Sequence, residues 1–259
     1  MKNNIFNYFK KLVKVLSWPI VFMVGQFFIS YIFSFVYSLF HSELPLEVLT
    51  LKINDFLENS KVLVTFVGFV IFVPLFIKDY KKLREDKYLF NVDYFYIFLF
   101  SIGYSIIINI LFLNINNIFG INSSQFLTVP KGEIIALILC TGIMGPIIEE
   151  FLFRGIIFNK FKKFNSERIS ILLTSILFSL LHMNFFNIIN TFILSYILIF
   201  IYNKYKTLLA PIILHIGVNT TVVLIINIIV INVNNLNSLL FLMGIIFVLI
   251  SSVKIFKNT

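Results

Sequence analysis

"GPIIEEFLFRG", residues 145–155, lies inside a run that is otherwise largely apolar from Ile134 to Phe158. Glu149, Glu150 and Arg154 interrupt it. A charged side chain at the centre of a bilayer costs about 2.5–3.5 kcal/mol even on the milder scales. Composition decides whether a bilayer is the right reference. The chain is 59% hydrophobic and 13% charged, with a mean hydropathy of +0.97. A soluble domain of 259 residues needs a polar surface that this composition cannot supply. The chain is therefore read as an all-α, polytopic membrane helix bundle, and the three charges demand a structural or chemical reason.

Spans of roughly 20 apolar residues are expected, and eight segments qualify: about 16–40, 61–77, 94–115, 134–158, 169–187, 188–203, 208–231 and 238–254. The first follows Lys2, Lys10, Lys11 and Lys14; it exceeds a signal-peptide core and no small-residue cleavage site follows it, so a transmembrane helix is expected there. Gly145-Pro146 interrupts the fourth, and proline should bend or restart that helix just before the carboxylates. The Asn-rich stretches "NINNIFGINSS" and "INVNNLN" read as outer turns. Segment 41–60 has Leu46, Leu49, Ile53, Phe56 and Leu57 at helical spacing, which predicts a short helix lying on the outer surface.

The net charge of +9 is explained by where the cations fall. With the N-terminus inside, 17 Lys and Arg lie in cytoplasmic segments and 3 outside, with Arg154 within a span. This asymmetry is the positive-inside pattern, with lysines facing anionic headgroups, so no nucleic-acid partner is expected. Both termini are expected to be cytoplasmic, in a multi-pass protein of a bacterial plasma membrane. One cysteine, Cys140, excludes an internal disulfide and a cysteine metal cluster, and reads as a packing residue. Of the three histidines, His41 falls in the outer loop and is expected to be solvated, while His182 and His215 fall within spans.

Depth relates the intramembrane polar groups to one another. Counting inward from the flanking Lys or Arg at about 1.5 Å per residue puts Glu149 about 16 Å deep, His182 about 21 Å, His215 about 14 Å and Asn219 about 20 Å. All four fall within a band about 8 Å thick. Glu150 and Arg154 stand at i and i+4 and can pair, whereas Glu149 points about 100° away, toward a cavity. His215 and Asn219 share a face one turn apart, as do Phe178 and His182. A carboxylate hydrogen-bonded to His can take a proton from water. His and Asn donors on a facing helix can stabilise the oxyanion of an amide. Ser179 is near His182, but Ser in an apolar helix usually bonds its own backbone, which disfavours a covalent route. Two His and a carboxylate (Glu149, His182, His215) would also suffice for catalytic zinc, although H-E-x-x-H is absent. A metal-free site is the first reading and zinc the alternative.

At these residues the chain resembles the CAAX-protease and bacteriocin-processing (CPBP, or Abi) family of intramembrane proteases. Its pattern is E-E-x-x-x-R, then F-x-x-x-H, then H-x-x-x-N/D. Here these are Glu149-Glu150-Phe-Leu-Phe-Arg154, Phe178-Ser-Leu-Leu-His182 and His215-Ile-Gly-Val-Asn219. The resemblance covers residues 130–225. It implies that Glu149 and His182 activate the water, that His215 and Asn219 form the oxyanion site, and that Glu150, Arg154 and Phe178 support it. It also implies an endopeptidase, of the type II CAAX prenyl endopeptidase kind, acting on a membrane-associated peptide or protein. The Ile, Asn, Lys and Phe content suits an AT-rich bacterial genome, where prenylated substrates are not expected. Peptide maturation and bacteriocin immunity are family roles, and a non-catalytic immunity or scaffold protein and a transporter are the competing classes. The expected division is residues 1–130 as three N-terminal spans, 131–231 as the catalytic core, and 232–259 as a last span and tail. Topology is checked by single-cysteine labelling in a Cys140→Ala background. Positions 82 and 163 should be protected from an impermeant reagent in intact cells, while position 52 should label.

Overall fold

The computed structural model describes residues 2–83, 93–119, 134–182, 185–225 and 234–257. All regular structure among them is helical. Among the described residues nine helices follow in order: α1 (Lys2–Phe40), α2 (Leu46–Asn59), α3 (Lys61–Leu83), α4 (Tyr94–Phe119) and α5 (Ile134–Lys162) come first. They are followed by α6 (Glu167–Leu180), α7 (Phe185–Tyr205), α8 (Leu209–Leu224) and α9 (Asn234–Phe256). A helix lies within each of the eight expected spans, and residues 226–231 of the seventh lie outside the described residues. Six are long and apolar enough to cross a membrane, in α1, α3, α4, α5, α7 and α9. The other two, α6 with 14 residues and α8 with 16, reach only about 21 and 24 Å, short of a hydrocarbon core about 30 Å thick. Exposed apolar side chains such as Val24, Phe27 and Phe28 on α1, and Leu242, Leu249 and Val253 on α9, line the outside. That outward oil is what a bilayer solvates.

The surface helix expected in 41–60 is α2. It folds back on α1, with the Phe56 ring stacked 4.5 Å from Tyr37. His41 is half-buried rather than fully solvated; its ring stacks 4.1 Å from Tyr37, and its Nδ1 lies 3.0 Å from the Tyr37 carbonyl. The Asn-rich turns are partly helical: residues 114–119 continue α4 and Asn234 opens α9, while 120–124 and 231–233 lie outside the described residues. Asn is a poor helix former by under 1 kcal/mol, a cost that a helix already nucleated can absorb. The span expected over 169–187 is also shorter. α6 ends at Leu180, so His182 stands just beyond its last turn. There Leu181 N–H donates to the Phe178 carbonyl at 3.4 Å and His182 N–H to the Ser179 carbonyl at 2.9 Å, the i to i−3 tightening that closes a helix end.

Two packed groups carry the bundle. Phe72 and Phe76 of α3, Val15 and Ile29 of α1, and Leu152, Phe153 and Ile156 of α5 form one, with Phe178 of α6. The other unites Ile97 and Phe100 of α4, Leu194 and Leu198 of α7 and Leu214 and Val218 of α8. Helices in a membrane gain little from burying oil in oil, so close backbone approach and interhelical hydrogen bonds matter more. Ser105 Oγ of α4 donates to the Val218 carbonyl of α8 at 3.1 Å. A Cβ at Gly103 of α4 would lie 2.6 Å from the Gly244 carbonyl oxygen of α9, so the glycine is what lets these backbones touch. Gly103→Leu should therefore force α4 and α9 apart and cost about 1–3 kcal/mol or more, as over-packing does. Thermal unfolding in detergent should show a lower Tm; an unchanged Tm would contradict this contact.

Candidate active site

The site is built on α5, which is not a uniform α-helix. Residues Ile138–Met144 and Phe151–Phe158 are π-helical, and they bracket the α-helical Gly145–Glu150. The interruption expected at Gly145-Pro146 is thus a widened turn rather than a break, with proline in the first turn of the resumed α segment. One carbonyl is left over. In i to i+5 bonding the Thr141 oxygen would take the N–H of residue 146, which proline lacks, and the Gly145 N–H goes to the Cys140 oxygen instead. Asn219 of α8 supplies the missing donor: its Nδ2 lies 3.0 Å from the Thr141 oxygen. The third motif therefore docks on the defect that precedes the first.

Glu150 and Arg154 are both fully buried, at 0% exposure, with Arg154 Nη1 donating to Glu150 Oε1 at 2.9 Å. Arg154 Nη2 continues across to α7, to Ser195 Oγ at 2.9 Å and the Ser195 carbonyl at 3.3 Å. Its guanidinium also lies 4.6 Å over the Phe178 ring. Glu150 Oε1 takes a second partner, His215 Nδ1, at 2.7 Å. Because a carboxylate there only accepts, this nitrogen is the donor, which turns Nε2 toward Glu149 Oε2 at 3.8 Å. His215 thus stands between the two carboxylates. Glu150 Oε2 and Arg154 Nε have no hydrogen-bond partner among the described residues.

Glu149 faces the other way. Its side chain is 28% exposed and it lines a cavity of about 340 Å³ together with His182 and Phe178. His182 Nδ1 lies 3.1 Å from the Phe178 carbonyl, so in the neutral ring that nitrogen carries the proton and Nε2 keeps its lone pair. The Phe178 ring also contacts both histidine rings, at 5.2 Å from His182 and 5.8 Å from His215. Ser179 Oγ is bonded to its own helix, to the Ile176 carbonyl at 2.9 Å, as expected. Glu149, His182 and Phe178 therefore meet at one cavity, Glu150, Arg154 and His215 in one buried cluster, and Asn219 is engaged with α5.

The opposite wall of the cavity was not read from the motifs. It is α1, through Phe22, Met23, Gln26, Phe27 and Ser30. Gln26 makes no side-chain hydrogen bond among the described residues, and its carboxamide rests on Gly68 of α3. A carboxamide in the middle of an apolar run was the available signal, since burying an amide without a partner costs several kcal/mol. Ser195 was likewise missed; a lone Ser in an apolar span carries no distinctive signal. Among the described residues no group of three or more His, Cys, Asp and Glu is placed to hold a metal ion. Glu149, His182 and His215 are thus not arranged here as a zinc ligand set.

Residues 131–221, the segment that supplies all these motif residues, match the family model described as "Type II CAAX prenyl endopeptidase Rce1-like". "Putative membrane peptidase YdiL" of Bacillus subtilis (strain 168) is 30% identical over 88 residues, 34% of this chain and 36% of that protein. "UPF0177 protein YxdF" of Lactococcus lactis subsp. lactis (strain IL1403) is 29% identical over 125 residues, 46% of this chain and 68% of that protein. The first match thus spans about a third of that relative's own length. No solved structure matches the chain. These matches bear out the family resemblance carried by the three motifs.

Removing either partner of the buried pair should leave an uncompensated charge, at a cost of about 3–5 kcal/mol. Glu150→Ala and Arg154→Ala should each lower the yield of folded protein, measured by size-exclusion profile in detergent. Arg154→Lys should not restore it, because an ammonium cannot reproduce the fork that spans Glu150 and Ser195.

Proposed function

We propose that this Rce1-like integral membrane protein is an endopeptidase that hydrolyses a peptide bond of a membrane-associated peptide or protein, in a bacterial plasma membrane with both termini cytoplasmic. One observation carries the reading: Glu149 and His182 open onto a single cavity whose wall is otherwise apolar except for Gln26 and Ser30. In it, Glu149 and the Nε2 of His182 polarise a water, and its oxygen attacks the scissile carbonyl carbon as Glu149 takes the proton. The carbonyl oxygen becomes an oxyanion, for which Asn219 and, with a proton on Nε2 as well as Nδ1, His215 are the candidate donors. Collapse breaks the C–N bond, and the proton held by Glu149 passes to the leaving amine. His215 is held for this by Glu150, which Arg154 holds in turn. This scheme routes no step through a metal.

Glu149→Gln should abolish cleavage of a defined peptide while leaving folding intact, because the amide keeps the shape and loses the base. Near-normal turnover in that variant would overturn the assignment, and activity lost to a chelator and restored by zinc would overturn the metal-free scheme. Asn219 has two competing roles, oxyanion donor and cap of the Thr141 carbonyl. As an oxyanion donor, Asn219→Ala should lower kcat about 100–1000-fold at unchanged KM. A lower Tm with normal kcat per folded molecule would leave only the cap.

A further inference from the structure

A second cavity, of about 490 Å³, opens where α1, the C-terminal end of α3 and the C-terminal end of α5 meet. It shares no lining residue with the catalytic cavity. Lys160 in its wall lies 11 residues beyond Glu149, about 16 Å along α5. Five lysines line it: Lys11 and Lys14 from α1, Lys82 from α3, and Lys160 and Lys163 from the end of α5 and the turn after it. Against them stands one carboxylate, Asp79, and its Oδ1 is already taken by Lys82 Nζ at 3.0 Å. Lys11, Lys14, Lys160 and Lys163 form no ion pair within 4 Å among the described residues, although Lys160 lies within the field of Asp79.

Lys11, Lys14, Lys82 and Lys163 are exposed, yet all five lysines border one concavity. Lys160 is half-buried with its Nζ 4.1 Å from the centroid of the Trp18 ring, and Lys11 Nζ lies 5.9 Å from that of Phe164. Crowding like charges around a common space is unfavourable until an anion occupies it. Several ammonium donors converging from different helices suit the oxygens of a phosphate. The place selects among phosphates. Trp18, Leu83 and Phe164 give the basin an apolar side, and it sits where three apolar helices reach their basic ends, the level of lipid headgroups.

We propose that this basin binds the headgroup phosphate of an anionic phospholipid. The lysines engage the phosphate while Trp18, Leu83 and Phe164 meet the lipid below it. The lipid then ties α1, which walls the catalytic cavity, to α5, which carries Glu149. Each lysine near an anionic lipid surface contributes enough to change affinity roughly fivefold, so losing three should cost about 100-fold.

The test uses full-length protein in a nonionic detergent and follows anisotropy of a fluorescently labelled phosphatidylglycerol. Saturable binding is expected, displaced by unlabelled phosphatidylglycerol but not by phosphatidylcholine. A Lys14→Gln, Lys160→Gln, Lys163→Gln variant should bind about 100-fold more weakly, with an unchanged Tm in phosphatidylcholine. Should that variant fail to fold, Lys11→Gln with Lys163→Gln, both on exposed side chains, should still weaken binding about 25-fold. Unchanged affinity in a folded variant, or equal displacement by phosphatidylcholine, would overturn the proposal. Displacement by inorganic phosphate at the same concentrations as phosphatidylglycerol would also overturn it, by making the site one for soluble phosphate.

Discussion

The hydrogen-bonded cluster of Arg154, Glu150 and His215 is the constraint on which the rest of the site depends. Two opposite charges at 0% exposure are tolerable only because each is paired, and the pairing joins three helices. Arg154 reaches from α5 to Ser195 on α7, and Glu150 from α5 to His215 on α8. Phe178 of α6 lies against Arg154 and both intramembrane histidines, so the same group of contacts sets the position of the fourth helix. Once these four helices are locked, Glu149 has one direction left. It is adjacent in sequence to Glu150 and must face away from it, into the cavity.

Much of this was legible from hydropathy, spacing and depth because those signals are local. An apolar stretch becomes a helix in lipid whatever its neighbours are, since the backbone has no other way to satisfy its polar groups. The i, i+4 relation of Glu150 and Arg154 is likewise a property of one helix. Relations between segments were harder to read. Equal depth for Glu149 and His215 says that they can meet, but not that His215 sits between two carboxylates with Nδ1 on Glu150. The part played by α1 was invisible for the same reason. Nothing in residues 22–30 announces that they will face a carboxylate more than a hundred positions later, beyond the cost of placing Gln26 in an apolar run.

The π-helical turns were illegible for a different reason. A π turn inserts one residue into the helical phase without changing which residue types are favoured, so a hydrophobic pattern averaged over several turns barely registers it. Its consequences here are nevertheless specific. The second π segment carries Arg154 and the first carries Thr141, so the carboxylates sit on a short α-helical step between two widened regions.

Pro146 explains why the first of those regions needs a partner. A proline three residues before Glu149 looks like a helix breaker, yet α5 continues through it as a helix. The cost is one orphaned carbonyl, at Thr141, in a place where water is scarce and an unsatisfied oxygen is expensive. Asn219 removes that cost from a different helix. His215, one turn earlier on α8, is thereby brought against Glu150. One helix is thus fastened to α5 at two points, an amide on a backbone oxygen and an imidazole on a carboxylate. Rotation of α8 about its axis would swing His215 away from Glu149, and these two contacts one turn apart resist it together with the packing of Leu214 and Val218 and the Ser105 bond to Val218. The spacing H-x-x-x-N therefore reads as the length of that double fastening, whatever further chemistry Asn219 performs.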